Sequence, residues 1–509
     1  MVTAMNVDEP YVLGLDMGTS TVKAALFSAD GAQVGLQSDE YLLPPEGQLV
    51  EADPETYWSP IVRSIRKLLQ GFPGRPEQIV AVSTSTFGET IFPMAADHSP
   101  TRPSISWMDN RSTAEAQALI DRVGLRDIQS ISGQGDVTAT WPATKFLWMA
   151  RNEPDVFRRT AKFLLPNDYL LFRLSGEMIA EETMWSDSLV MDIRRKAWSE
   201  PLMEAAGITA EKLPPLMPPC TVIGRISPAC AEETGLSVQT KVVSGAMDQM
   251  CAGVGAGNIV PGIITESTGT VVALLATTWE PIIDFATKVP CQIHAVPGMY
   301  CLLPWSPTGG MVLKWFKDRF CEEEKQRAAQ AGADVYDVLC EKASRVPAGS
   351  DGLTMLPHLE GSGFPEFVPS ARGVLFGLAL RHGKPHVIRA ILEAIAYLIK
   401  SNVEVLQKVG AGADEVRVLG GGAKSALWNQ IKADVLGLPI AVPGNREAAV
   451  LGAAIIATVG VGLHPDFSTA VKAMTRMETR IQPNPANREV YTDGYRRYRR
   501  LFGHVTELF

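Results

Sequence analysis

Residues 12–26 read VLGLDMGTSTVKAAL. An apolar run ends in a carboxylate, Asp16. The turn Met17-Gly18-Thr19-Ser20 follows, and a second apolar-rich run carries Lys23. The pattern predicts a strand, a tight turn and a returning strand. Gly18 lets a backbone approach a neighbour closely. The turn's N–H groups and the hydroxyls of Thr19 and Ser20 can hold phosphate oxygens, and Asp16 can hold Mg²⁺ directly or through water. A plain hairpin turn draws on the same residue types, so this stretch needs support from the rest of the chain.

Support comes from a second copy of the pattern. Residues 263–275 read IITESTGTVVALL, and Gly269-Thr270 aligns with Gly18-Thr19. Two such hairpins, one in each half, predict a duplicated domain with one phosphate loop per half. Between them, an α/β alternation follows the opening hairpin. Residues 32–41 read as a third strand, Pro44 to Gly47 as a loop, and Asp53-Pro54 as the start of a helix with apolar residues at helical spacing. A strand follows over 78–85, then helices over 114–130, 145–160 and 198–212, and a strand over 241–244.

Bulk properties set the outer limits. A chain of 509 residues predicts two or three domains. A net charge of −9 argues against nucleic acid as a partner, since a dedicated binder carries a basic face. The seven cysteines are scattered with no CxxC pair, which reads as reduced thiols in a cytoplasmic protein, without a zinc site. The opening MVTAMNVDEPY has no signal-peptide core. The most apolar stretch, residues 448–463, is too short and too rich in small residues to span a membrane, and is expected to be a buried helix packed through Gly452 and Ala453.

Three places carry chemistry. Asp248 leaves the strand over 241–244 and is followed by Gln249 and small residues. A carboxylate there can accept a hydroxyl proton while the oxygen attacks phosphorus. The segments STSTFGET (83–90) and WMDNR (107–111) set aromatic planes beside carboxylates: Phe87, Glu89, Trp107 and Asp109. That combination suits a sugar or polyol, although Asp109 with Arg111 could equally be an internal salt bridge. In the second half, Thr308-Gly309-Gly310 precedes an amphipathic helix, and the strand over 416–419 runs into Gly420-Gly421-Gly422 and another helix. A strand, a glycine cluster and a helix N-terminus make a nucleotide-contact geometry. The basic, aromatic C-terminal segment from Arg488 reads as a packing helix with snorkelling arginines.

Taken together, these pieces resemble the FGGY carbohydrate kinases of the actin, Hsp70 and hexokinase superfamily. The segment PATKFLWM (142–149) resembles the first family signature, with Thr140 departing at its opening position. GVLFGL (373–378), His386 and AILE (390–393) match the second. GAMDQMCAGVGAG resembles the catalytic-aspartate motif, and GGGAKSALWNQIKAD the adenosine motif in nearly its xylulokinase form.

The resemblance implies two α/β domains of ribonuclease H-like type, over 1–257 and 258–509, each a mixed five-stranded sheet with flanking helices, and a cleft between them. It implies an ATP-dependent kinase for a hydroxyl of a small sugar or polyol, with a ketopentose such as xylulose the leading candidate. Asp248 would be the general base and Asp16 would sit near Mg²⁺. Thr19, Ser20 and Lys23 would lie on the first phosphate side. Thr268, Gly269 and Thr270 would form the second phosphate loop, and Gly309, Gly310, Gly421 and Gly422 would line the nucleotide. Glu89, Asp248 and Gln249 match the glycerol-binding residues of glycerol kinases. Gly88 and Thr140 stand where those kinases carry Arg and Tyr, and Thr86-Phe87-Gly88 stands where xylulokinases carry Met-His-Gly. These departures leave a tetritol, another ketose or a signalling furanone as alternatives within the class. Outside the class, the alternative is a nucleotide-driven switch of the Hsp70 kind. The family is commonly dimeric, so a homodimer is a possible assembly.

Overall fold

The computed structural model describes residues 9–43, 45, 47 and 49–509. Most of the polar opening, together with Pro44 and Glu46 of the expected loop, lies outside the described residues. The chain forms two compact units. The first comprises residues 1–259, 278–301 and 447–476, and the second residues 260–277, 302–446 and 477–509. This partition differs from two continuous halves meeting at residue 257, because two later segments return to the first unit.

The first unit is built on a mixed sheet in the order Val222–Arg225, Lys241–Met247, Ile79–Thr86, Tyr11–Met17, Thr21–Ser28, Gln33–Glu40. It has six strands where five were expected; the extra one is a short edge strand. Tyr11–Met17 runs antiparallel to Thr21–Ser28, with Asp16 opposite Lys23, and parallel to Ile79–Thr86, with Asp16 beside Ser85. Lys241–Met247 is also parallel to Ile79–Thr86, with Met247 beside Thr86. Three parallel strands therefore end together at Met17, Thr86 and Met247, and the segments that leave them carry the candidate acids. Ligands bind at such carboxyl ends in open α/β sheets.

Helix Ala448–Gly460, the apolar stretch, closes one face of this sheet. Its contacts are too close for side chains. A Cβ on Gly452 would sit 1.8 Å from the Cys251 carbonyl oxygen, one on Gly255 1.9 Å from that of Ala448, and one on Gly14 2.4 Å from that of Val450. The helix is buried because backbone meets backbone along it. Gly452→Ala should force helices Asp248–Gly255 and Ala448–Gly460 apart and destabilise the first unit by about 1–3 kcal/mol, the cost of overpacking; an unchanged urea midpoint would contradict this. Among the described residues no helix is long and apolar enough to cross a membrane.

The second unit repeats the same pairings. Gly262–Thr268 is antiparallel to Val272–Thr278 and parallel to Ala413–Leu419. Ala413–Leu419 is parallel to Ile440–Pro443, which is antiparallel to the edge strand Met477–Ile481. Trp305–Ser306 adds to Val272–Thr278 as Gln33–Glu40 adds to Thr21–Ser28. The central pairings expected from the two Gly-Thr turns are thus repeated, although this second sheet has eight strands where five were expected.

Three helices differ from their expected spans, each at a breaker. The stretch 114–130 forms Thr113–Val123 and Leu125–Ser132, parted by Gly124 at φ 90°. The stretch 145–160 forms Pro142–Asn152 and Pro154–Arg159, because Pro154 cannot continue the first helix. The stretch 198–212 keeps only Glu200–Ala205 and a single turn at Ala210–Lys212. The C-terminal helix Arg488–Val505 is a packing helix: Tyr491 and Tyr498 are buried, and Arg389 donates to the Tyr491 hydroxyl at 2.9 Å.

Candidate active site

In the first unit the opening turn is tied down by Tyr41. The Tyr41 hydroxyl donates to the Gly18 carbonyl, its N–H donates to the Ser20 carbonyl at 3.0 Å, and the Gly18 N–H closes on the Thr21 carbonyl at 2.9 Å. Thr19 is half-buried and Ser20 exposed. Asp16, partly exposed at the strand's end, accepts from the Ser85 hydroxyl at 2.7 Å. Burial pushes its carboxyl above the ordinary range, Ser85 and Lys23 pull it back, and Glu447 pushes it up again. Lys23 donates to Glu447 at 2.5 Å, so its charge is held at the start of helix Ala448–Gly460.

Asp248 opens helix Asp248–Gly255 directly after its strand. Its carboxyl is pushed up to about 7, first by burial, then by Asp16 and Glu89, against hydrogen bonds from Gln249. Glu89 sits in the left-handed region at φ 58°, a conformation rarely adopted by a non-glycine residue and often found at functional sites. Burial, and then Asp187, hold its carboxyl well above the ordinary range. Lys145 is fully buried and donates to the carbonyls of Ala139 at 2.7 Å and Thr140 at 2.5 Å. Burial brings it down to about 7, with Glu89 the main opposing influence.

The other expected substrate residues, Phe87, Trp107 and Asp109, have different surroundings. Phe87 is a core ring, tilted against Tyr57 at 5.9 Å. Asp109 is fully buried and its two oxygens are engaged: Arg111 Nε and Nη2 donate at 2.8 and 2.7 Å, and the Val50 N–H at 2.6 Å. Burial raises the Asp109 carboxyl, but these donors outweigh it and hold it below the usual range. Asp109 and Arg111 thus form the internal ion pair that the sequence left open. Trp107 packs on the core, its backbone N–H donates to the Thr90 hydroxyl at 3.1 Å, next to Glu89, and its Nε1–H is buried without a protein acceptor. Glu89 and Gln249 are the substrate candidates brought to Asp248. Asp187, Lys145 and Gln292 join this cluster from segments far apart in sequence. Lys145 lies within PATKFLWM (142–149), while no motif flags Asp187 or Gln292.

In the second unit a cavity of about 490 Å³ is lined by Thr268, Gly269, Thr270, Gly310, Gly421 and Gly422, with Tyr336 and Trp428 among its walls. Gly269 and Gly421 face open space. Gly309 instead packs beneath the loop, where a Cβ would meet the Val271 backbone at 2.5 Å. The Gly310 N–H donates to the Gly269 carbonyl at 2.8 Å, locking the two Gly-rich turns together. Beneath Thr268 lies an ion pair with no exposed surface on either side: Lys432 Nζ is 2.6 Å from Glu266 and also donates to the Thr268 hydroxyl at 3.2 Å. The Thr268 hydroxyl donates in turn to Glu266.

An acid cluster at the carboxyl ends of one sheet and a glycine-lined cavity on its structural repeat are the parts of a phosphotransferase. The models of the FGGY family of carbohydrate kinases match the chain in two pieces, the N-terminal domain over residues 11–255 and the C-terminal domain over 266–461. The chain belongs to the FGGY family of carbohydrate kinases. It is 28% identical to the xylulose kinase of Bacillus subtilis over 501 residues, covering 98% of both chains. It is 30% identical to the autoinducer-2 kinase of Yersinia enterocolitica, covering 94% of this chain and 92% of that one. The crystal structure of gluconate kinase from Lactobacillus acidophilus superposes with a TM-score of 0.88 at 25% identity, covering 98% of each. The kinase therefore has the two-domain actin- and hexokinase-like fold, and it is an ATP-dependent sugar kinase. The relatives differ in the sugar they are named for.

Proposed function

We propose that this FGGY kinase transfers the γ-phosphoryl group of ATP to a hydroxyl of a small ketose or polyol, with a ketopentose such as xylulose the leading substrate and Asp248 the base. The observation that carries the reading is Asp248 itself, a carboxylate at a strand's end beside Glu89 and Asp16, raised toward neutrality yet partly exposed. A base of pKa near the working pH serves proton transfer best.

In this reading the adenosine lies in the second unit's cavity, with backbone of Gly421 and Gly422 against it, and the N–H groups around Gly269 and Thr270 take phosphate oxygens. Thr19 and Ser20 do the same at the first turn. The Asp248 carboxylate accepts the substrate's hydroxyl proton as the oxygen bonds to phosphorus and the bond to ADP breaks. Gln249 holds Asp248 in place, and Glu89 hydrogen-bonds a neighbouring hydroxyl. Lys23 acts through Glu447, orienting the turn. Mg²⁺ binds through one or two carboxylates together with substrate phosphates. Asp16 is the residue to hold it, and the ion would neutralise charge on the phosphates. Seven free thiols support a cytoplasmic setting.

The test is a coupled ADP-release assay over ketoses, polyols and aldoses across a pH series. Since the base must be ionised, kcat/KM should rise as pH climbs through about 7 and fall roughly tenfold per unit well below it. A rate flat from pH 5.5 to 8 would remove Asp248 from this role.

A further inference from the structure

Strand Lys241–Met247 delivers Asp248 by an irregular route. Its register on Ile79–Thr86 shifts between Val243 and Ala246, and only Ala246 and Met247 are paired beyond the shift. At Gly245 a Cβ would lie 1.6 Å from the Thr84 carbonyl oxygen, so the two backbones press together there. Helix Asp248–Gly255 then starts with no side-chain cap from Met247. Two paired residues are a short hold for the aspartate that follows them. A second hold comes from outside the sheet: the N–H of Met247, the residue before Asp248, donates to the Thr183 hydroxyl at 3.0 Å.

Thr183 lies in the single-turn helix Glu182–Trp185 and is fully buried. Its hydroxyl donates to Glu181 Oε2 at 2.5 Å, which leaves a lone pair for Met247. Glu181 also accepts from the N–H groups of Thr183 at 2.9 Å and Met184 at 3.3 Å. Asp168 grips the other side of the same turn, accepting from the Glu181 N–H at 2.9 Å and from Trp185 Nε1 at 2.7 Å. Burial pushes both carboxyls up, Asp168 to about 7 and Glu181 to about 8, against these donors. Burying two acids side by side is costly. What a satisfied polar network supplies in return is one fixed arrangement of the chain.

We propose that Thr183 is a positioning residue for phosphoryl transfer: its hydroxyl, oriented by Glu181, holds the Met247 peptide and so sets the aim of the Asp248 carboxylate. The proposal rests on Asp248 being the base, since Thr183 acts through it. A displacement of about 1 Å at a reacting group can cost about a hundredfold in rate, so a hydrogen bond one residue away is worth a measurable part of kcat.

Thr183→Val keeps the volume and removes the acceptor. It should lower kcat on the best substrate about thirtyfold, with KM for ATP unchanged within about twofold. Thr183→Ser keeps the hydroxyl and should stay within about threefold of the wild type. A double-mutant cycle with Asp248→Asn separates aiming the base from supporting the fold, because residues that act as a unit are not additive. In the Asp248→Asn background, Thr183→Val should cost less than about threefold. Equal cost in both backgrounds would overturn the proposal. So would a Thr183→Val enzyme within about threefold of the wild type, or a Thr183→Ser enzyme as slow as Thr183→Val. Asp248→Asn alone retaining about a tenth of the activity would overturn the base assignment and the proposal with it. Thermal melts establish that each variant is folded. Should Thr183→Val melt below the assay temperature, Glu181→Gln, which halves the acceptors facing the Thr183 hydroxyl, takes its place in the cycle with about a tenfold loss expected.

Discussion

Asp248→Asn is expected to lower kcat on the best substrate by about 10³-fold, within the 10²–10⁴ that a positioned general base supplies. Asn keeps the shape and the contact with Gln249 but cannot take a proton. It also removes one charge from the group of Asp16 and Glu89, so the loss should fall on kcat more than on substrate KM. ATP affinity should change little, because the cavity that holds the nucleotide is built from other residues. The rise of rate through about pH 7 should vanish with the carboxylate. A variant retaining a tenth of the activity would mean that the proton leaves by another route.

Lys432→Met is expected to cost about 3–5 kcal/mol, the usual penalty for leaving one member of a buried pair alone. Lys432 and Glu266 have no exposed side-chain surface, and Glu266 accepts from Lys432 and the Thr268 hydroxyl. The same change should raise the KM for ATP, since Thr268 is a wall of the nucleotide cavity and loses its Lys432 contact. Adding Glu266→Gln should restore part of the stability, because the uncompensated charge is then gone. Denaturant unfolding of the two single variants and the double variant measures this coupling. If Lys432→Met unfolds at the wild-type midpoint, the pair is not holding the loop.

The fold was legible because its signals are local. Asp16-Met17-Gly18-Thr19 and Ser267-Thr268-Gly269-Thr270 announce their hairpins, and Gly452 and Ala453 within an apolar stretch announce a close-packed helix. Helix ends were read less well where one Gly or Pro, such as Gly124 or Pro154, outweighs a favourable apolar period. In the site, Asp248, Gln249 and Glu89 could be picked out since each leaves a strand. Phe87 and Asp109 could not be told from ligand contacts, because an aromatic ring or an Arg–Asp pair has the same sequence whether it faces a sugar or the core. Lys432, Asp187 and Gln292 were missed for the opposite reason: each gains its meaning from a partner more than a hundred residues away. No periodicity carries that information.

The most direct test is product analysis by mass spectrometry after a single turnover with equal amounts of enzyme and ATP and an excess of D-xylulose or the best polyol. One phosphate ester should form for each ADP, and none with Asp248→Asn. ADP accompanied by free inorganic phosphate and no ester would contradict phosphoryl transfer to a hydroxyl at Asp248, and would favour a nucleotide-driven switch.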